Sequence, residues 1–174
     1  MSAICRSKEM KLVHVAVMVA VGAFIFATPL VVEATPPSGV SFSPVGRATL
    51  PAFRVRRVDK ALHWRVGLHA PQPIDAATQV VTFQPGGYSG WHTHPGPVIF
   101  TVRTGTLTVY EGDDPSCTPF SFTAGTGTVE AATGTHIHMV RNETDSVAEA
   151  VVTYLVPVGT LLRTDLPDPG NCPF

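Results

Sequence analysis

The chain twice places histidines two residues apart, at His92-Thr93-His94 and at His136-Ile137-His138. Side chains alternate across an extended strand, so each spacing presents both imidazoles on one face. A neutral imidazole offers one nitrogen lone pair to a divalent transition ion, and two side by side begin a chelate. Gly86, Gly87 and Gly90 lead into the first pair and Pro95-Gly96-Pro97 leads out, so the chain can turn sharply around it. Two strands that each turn such histidines inward would close a site of three or four nitrogen donors. No Cys-x-x-Cys, phosphate-cradling glycine loop or supported Ser/His/Asp arrangement competes with this constellation.

The elements that must position these rings read as β. Thr78 to Phe83 is a β-branched run ended by Pro85-Gly86-Gly87. Val98 to Val102 and Thr106 to Tyr110, separated by Arg103-Thr104-Gly105, read as a hairpin with glycine at its turn. Thr118 to Thr123, Gly127 to Glu130, Ile137 to Arg141 and Val147 to Val156 supply further strands. Short strands separated by turn residues predict an all-β sandwich or barrel, and no useful helix is predicted after the N-terminal segment. Thr35 to Pro51 lacks a convincing period and reads as an extended arm, and Phe53 to Leu68 gives no clear element. Arg54 and Arg56 share a face there, more in keeping with a solvated edge than with an anion site. A formal net charge of −1 with 14% charged residues leaves no electrostatic footprint for nucleic acid.

Arg6, Lys8 and Lys11 precede a stretch from Leu12 to Val32 without a formally charged residue, followed by Val32-Glu33-Ala34. Residues 1–34 therefore read as a signal peptide cleaved after Ala34, with a retained membrane anchor as the rival. Both place the rest of the chain in an extracytoplasmic compartment, secreted or in the periplasm or cell envelope. Cys5 falls in that segment, and the remaining even pair, Cys117 and Cys172, is expected to form a disulfide. The expected organisation is an arm and edge strand over residues 35–75, a barrel over 76–160 and a C-terminal tail over 161–174.

Gly86, five residues, His92-Thr93-His94 and the later Gly105 resemble the first motif of the cupin superfamily; His138 followed by Asn142 resembles the second. The likeness covers about Thr78 to Val156. It implies a small single-domain cupin-like barrel, of the jelly-roll or double-stranded β-helix kind, with His92, His94 and His138 as metal ligands. The motif's Glu falls at Val98 or Ile99, so the metal motif is incomplete, and Ala132-Thr133-Gly134 replaces the usual Pro-x-Gly. Val98 and Phe100 are expected to line the cavity, with His136 as an additional ligand or re-aimed by a bulge. Trp91 is expected to face away into packing, and Tyr88 to stand at the cavity mouth or pack in its loop. Glu130 reads first as a paired or exposed carboxylate, and alternatively as an acid–base group or late ligand.

Three neutral ligands would leave the full charge of an Fe, Mn, Zn, Ni or Cu dication uncompensated, which favours an anionic small molecule or hydroxide. Two functions follow: a metal-dependent oxygenase or related enzyme, or a non-catalytic extracytoplasmic module binding a small ligand at a degenerate metal site. Whether the chain is an enzyme stays open at this level. A homodimer is compatible with the reading, and a membrane is a partner only if the N-terminal segment is retained.

Overall fold

The computed structural model describes residues 33–130 and 136–174. The readings for residues 1–32 and for Ala132-Thr133-Gly134 lie outside these. Among the described residues the regular elements are strands: β1 (Ser38–Leu50), β2 (Phe53–Asp59), β3 (Trp64–Ala70), β4 (Ile74–Tyr88), β5 (His92–Thr93), β6 (Val98–Thr104), β7 (Thr106–Glu111), β8 (Phe120–Thr123), β9 (Gly127–Glu130), β10 (His138–Arg141), β11 (Ala148–Pro157) and β12 (Thr164–Asp165). Ten of them form one antiparallel, nearly closed sheet in the order β12-β5-β10-β4-β11-β6-β9, with β1 on β4, β7 on β10 and β8 on β7.

Strict alternation builds the interior. In β4, Ala77, Gln79, Val81 and Phe83 are buried while Ala76, Thr78, Val80 and Thr82 are half-buried. β11 and β6 repeat the pattern, turning Ala150, Val152 and Val156 inward from one and Val98, Phe100 and Val102 from the other. These residues join Leu107, Val109 and Val140 in a single core. Truncating a fully buried member such as Leu107 to Ala would cost about 2–5 kcal/mol.

Two elements differ from the sequence reading. Ser38–Leu50 is a 13-residue strand on β4 rather than a free arm. It is mostly exposed, so it carries no hydrophobic alternation, and its ladder is irregular between Pro44 and Gly46. An edge strand tolerates both features. The expected hairpin of Val98–Val102 with Thr106–Tyr110 does not form. β6 pairs with β11 and β9, whereas β7 pairs with β10 and β8. Gly105, at φ 74°, carries the chain from one set of partners to the other, and a Cβ there would lie 2.8 Å from that of Ala148 in β11. The unassigned segment from Phe53 is the β2–β3 hairpin, which forms a separate two-stranded sheet with Arg54 opposite His69 and Arg56 opposite Gly67.

A second, smaller cluster of Trp91, Tyr110, Met139 and Cys172 lies apart from the main core. The C-terminal tail packs there: Phe174 meets Tyr110 edge-on, and the Arg141 guanidinium lies 4.1 Å over the Phe174 ring. A Cys117–Cys172 disulfide joins the β7–β8 loop to this tail across 55 residues. Elsewhere Asp75 ties three segments together. Its carboxylate accepts from Thr49 Oγ1 (2.6 Å), from Arg47 (2.6 and 3.0 Å) and from the Gly159 N–H (3.0 Å). The Gly159 amide, then Thr49 and Arg47, hold its pKa down at about 2.

Two outcomes are expected. Reduction, or Cys117→Ala with Cys172→Ala, should destabilise the fold by up to roughly 4 kcal/mol on the chain-entropy account of such a loop; an unchanged Tm would mean the bridge adds nothing. Because the Asp75 pKa is depressed, its stabilisation is complete above the ordinary carboxylate value and is lost as pH falls towards 2. The Tm gap between wild type and Asp75→Asn should therefore be full at neutral pH and close between about pH 4 and 2. A gap independent of pH would contradict this assignment.

Candidate metal centre

The first histidine pair sits on a segment with almost no freedom to move. Gly90 adopts φ 70°, and a Cβ there would lie 2.0 Å from the Thr35 carbonyl oxygen; at Gly96 it would lie 2.0 Å from that of Leu155. Neither position accepts a side chain without displacing backbone. Between them β5 pairs on one side with β10, placing His138 opposite His92, and on the other with β12, placing Asp165 opposite His92. Trp91 packs into the smaller cluster, away from the rings.

The three imidazoles converge. Ring centroids lie 4.8 Å apart for His92 and His94, 4.3 Å for His92 and His138, and 5.2 Å for His94 and His138. One nitrogen from each falls within 4.8 Å of the others. All three residues are buried, His138 to 1% exposure. Backbone carbonyls orient two of the rings: His92 Nδ1 lies 2.9 Å from Gly90 O, and His94 Nδ1 lies 2.7 Å from Leu162 O. A carbonyl can only accept, so each Nδ1 carries a proton, and the neutral form of each ring turns an Nε2 lone pair to the interior. Such outer contacts are what fix a metal-binding histidine. Burial, and then the neighbouring His138, push the His92 pKa well below the ordinary histidine value, so this ring stays neutral into acid.

Glu130 closes the cluster from β9. Its Oε2 lies 3.3 Å from His138 Nε2 and 3.4 Å from His94 Nε2, and the residue is 7% exposed. Both His138 nitrogens nonetheless find no hydrogen-bond partner among the described residues. An unpaired buried polar atom is costly, and here the two atoms belong to a good metal ligand.

His92, His94 and Glu130 line a cavity of about 30 Å³ together with Phe100, Tyr154 and Arg163. Val98 is fully buried in the adjoining core. Tyr154 was not picked out by its sequence; its hydroxyl accepts from Gln79 Nε2 at 2.7 Å, and burial raises its pKa to about 12, so the phenol keeps its proton. Arg163 was also missed, because it lies beyond the barrel strands with no motif around it. Its guanidinium donates to Ser89 O at 2.8 Å and pairs with Asp165. His136 packs against His138, ring centroids 5.4 Å apart, and its Nε2 lies 3.1 Å from Glu111 Oε2; it lines a second cavity that Glu130 also borders. Tyr88 is likewise not at the mouth; it packs beside Arg141 and Trp91.

A nearly closed antiparallel barrel with inward histidines on adjacent strands defines a class of small β-barrel proteins. Residues 79–154 match the family model described as "Cupin domain". Residues 79–154 thus carry a cupin domain. Solved structures similar to it include a recombinant oxalate oxidase in complex with glycolate, at 26% identity and TM-score 0.39 over 45% of this chain and 41% of that one. Another is the DMSP lyase DddQ from Ruegeria pomeroyi, at 21% identity and TM-score 0.44 over 51% and 42% of the two chains. A third is TT1209 from Thermus thermophilus, at 20% identity and TM-score 0.44 over 72% and 92%. The chain thus spans about two fifths of the oxalate oxidase, and the cupin reading of residues 79–154 rests on the domain match. No curated protein matches the chain.

Proposed function

We propose that this chain is an exported cupin that holds a divalent transition metal through His92, His94 and His138 and acts there on a small, anionic molecule, as an oxygenase or related enzyme. The observation that carries the metal is the trio itself: three buried rings, two with their lone pairs turned inward by backbone carbonyls, and His138 with both nitrogens unpaired. A bound divalent ion would supply Lewis-acid polarisation of a small oxygen-bearing molecule, and one-electron chemistry if it is iron or manganese.

The chain's own residues set what can enter. A cavity of about 30 Å³ holds little more than a water-sized body, far below the usual small-molecule pocket. Phe100, Val81 and Val152 make part of the wall apolar and exclude water. The Arg163 guanidinium at the wall favours a negatively charged group. Tyr154, which keeps its proton to about pH 12, can donate a hydrogen bond to an oxygen inside. Export is supported by the apolar segment after Lys11 and by the Cys117–Cys172 bridge. The tightness of the same cavity favours, as the second reading, a module that binds without turnover.

Metal analysis of the purified protein should find about one equivalent of Fe, Mn, Zn, Ni or Cu, or one should be taken up after chelation. Free metal at a hundred times Kd should add about 2.7 kcal/mol to stability, several degrees in Tm. His92→Ala and His138→Ala should abolish that gain. A wild type that neither contains nor responds to any of these metals would refute the site. Metal binding without oxygen uptake or substrate loss, across a panel of small carboxylates, would leave the binding module.

A further inference from the structure

We propose that Glu130 is a fourth, anionic ligand of this centre, delivered from β9, a strand separate from those that carry the histidines. The inference rests on the reading above that His92, His94 and His138 hold a metal. In the β6–β9 ladder Glu130 stands directly opposite Val98, so both side chains project from the same face of the sheet, into the barrel. β9 also inverts the polarity that solvent would select: Val129 is 65% exposed while its neighbour Glu130 is buried. A carboxylate taken out of water needs a compensating positive charge or donors. Among the described residues its ion-pair partners are His94 and His138, with no Lys or Arg.

Hydrogen bonding to neutral rings does not supply that compensation. His94 commits its Nδ1 proton to Leu162 O, so in the neutral ring it is the Nε2 lone pair that faces a carboxylate oxygen at 3.4 Å. His138 Nε2 comes within 3.3 Å of the same oxygen without the alignment of a hydrogen bond. Acceptors gathered around one point in this way are stabilised by a cation between them. Ligand bonds of about 2.0–2.1 Å arranged tetrahedrally set neighbouring donor atoms about 3.3–3.4 Å apart, the separations of Glu130 Oε2 from His138 and His94 Nε2. A carboxylate ligand would halve the net charge expected of a three-histidine site, so anion selection would fall more heavily on Arg163.

The test uses Co(II) as the probe ion, with Kd from competition against a chelator and the visible absorption as a report on the ligand set. Glu130→Gln should raise Kd at least a hundredfold and change the Co(II) spectrum. The double variant Glu130→Val with Val98→Glu, which moves the carboxylate one strand over on the same face, should bind within about tenfold of wild type. In wild type, loading should shift carboxylate bands in the infrared difference spectrum, a readout that needs no variant to fold. If wild type binds and His138→Ala does not, yet Glu130→Gln matches wild type in Kd and spectrum, or loading leaves the carboxylate bands unmoved, this inference fails and the histidine centre stands. If wild type itself binds no Co(II), both fail.

Discussion

In a β-ladder a slip of one residue turns every side chain to the opposite face. The centre depends on one such register, the pairing that sets His138 opposite His92. Shifted by one, β10 would send Met139 inward and His138 out to the cluster around Trp91. Several contacts guard against this. Ser89 Oγ accepts the Val140 N–H at 2.9 Å, and Asn142 exchanges backbone hydrogen bonds with Gly86 and Gly87. The Asn142 side chain donates to Phe83 O, Gln84 O and Ser146 O and accepts from Thr144, which satisfies a buried amide completely. Asn142, part of the second motif by sequence, thus clamps the strand that carries His138 and has its own side chain fully engaged there.

The same demand for completed pairs governs the polar groups inside the barrel. Gln79 and Tyr154 satisfy each other, Asp75 is saturated by three donor groups at the barrel's end, and His92 and His94 each have a carbonyl partner. Against that background, His138 and the crowded Glu130 oxygen stand out. Among the described residues Thr93, Glu111, Arg141 and Asn171 each also keep one buried side-chain atom without a partner, but His138 is the residue with both of its ring nitrogens left so. The apolar wall from Phe100 and Val152 lowers the local dielectric and so makes each charge there count for more.

How far the sequence could be read follows from which contacts are local. The His92–His94 spacing, the flanking glycines and the outward Trp91 are properties of a few adjacent residues, and alternation sufficed to place them. Most strands were legible for the same reason. The failures are non-local. Nothing between Val98 and Tyr110 says whether two runs with a glycine between them pair with each other or part at a corner, and here Ala148 of a distant strand decides it. β1 hid because an exposed edge strand needs no apolar period. His136, which shares parity with His138, packs against that ring and pairs with Glu111 of β7, a partner that only the β10–β7 register reveals. Glu130 carried a legible hint, an acid at the inward position beside an outward valine, but its neighbours could not be known without the β6–β9 register.

The carbonyl that orients His94 belongs to Leu162, and the guanidinium at the cavity wall to Arg163, both after the last long strand of the barrel. The tail that carries them is held down by Leu166 on Trp91 and by the bridge at Cys172. All the proposed ligands are therefore synthesised before the carbonyl that aims His94 and the guanidinium at the wall. A chain emerging from the ribosome can pair its barrel strands while His94 still lacks its acceptor. The ring of His94 is aimed only once the segment carrying Leu162 has packed back on the barrel.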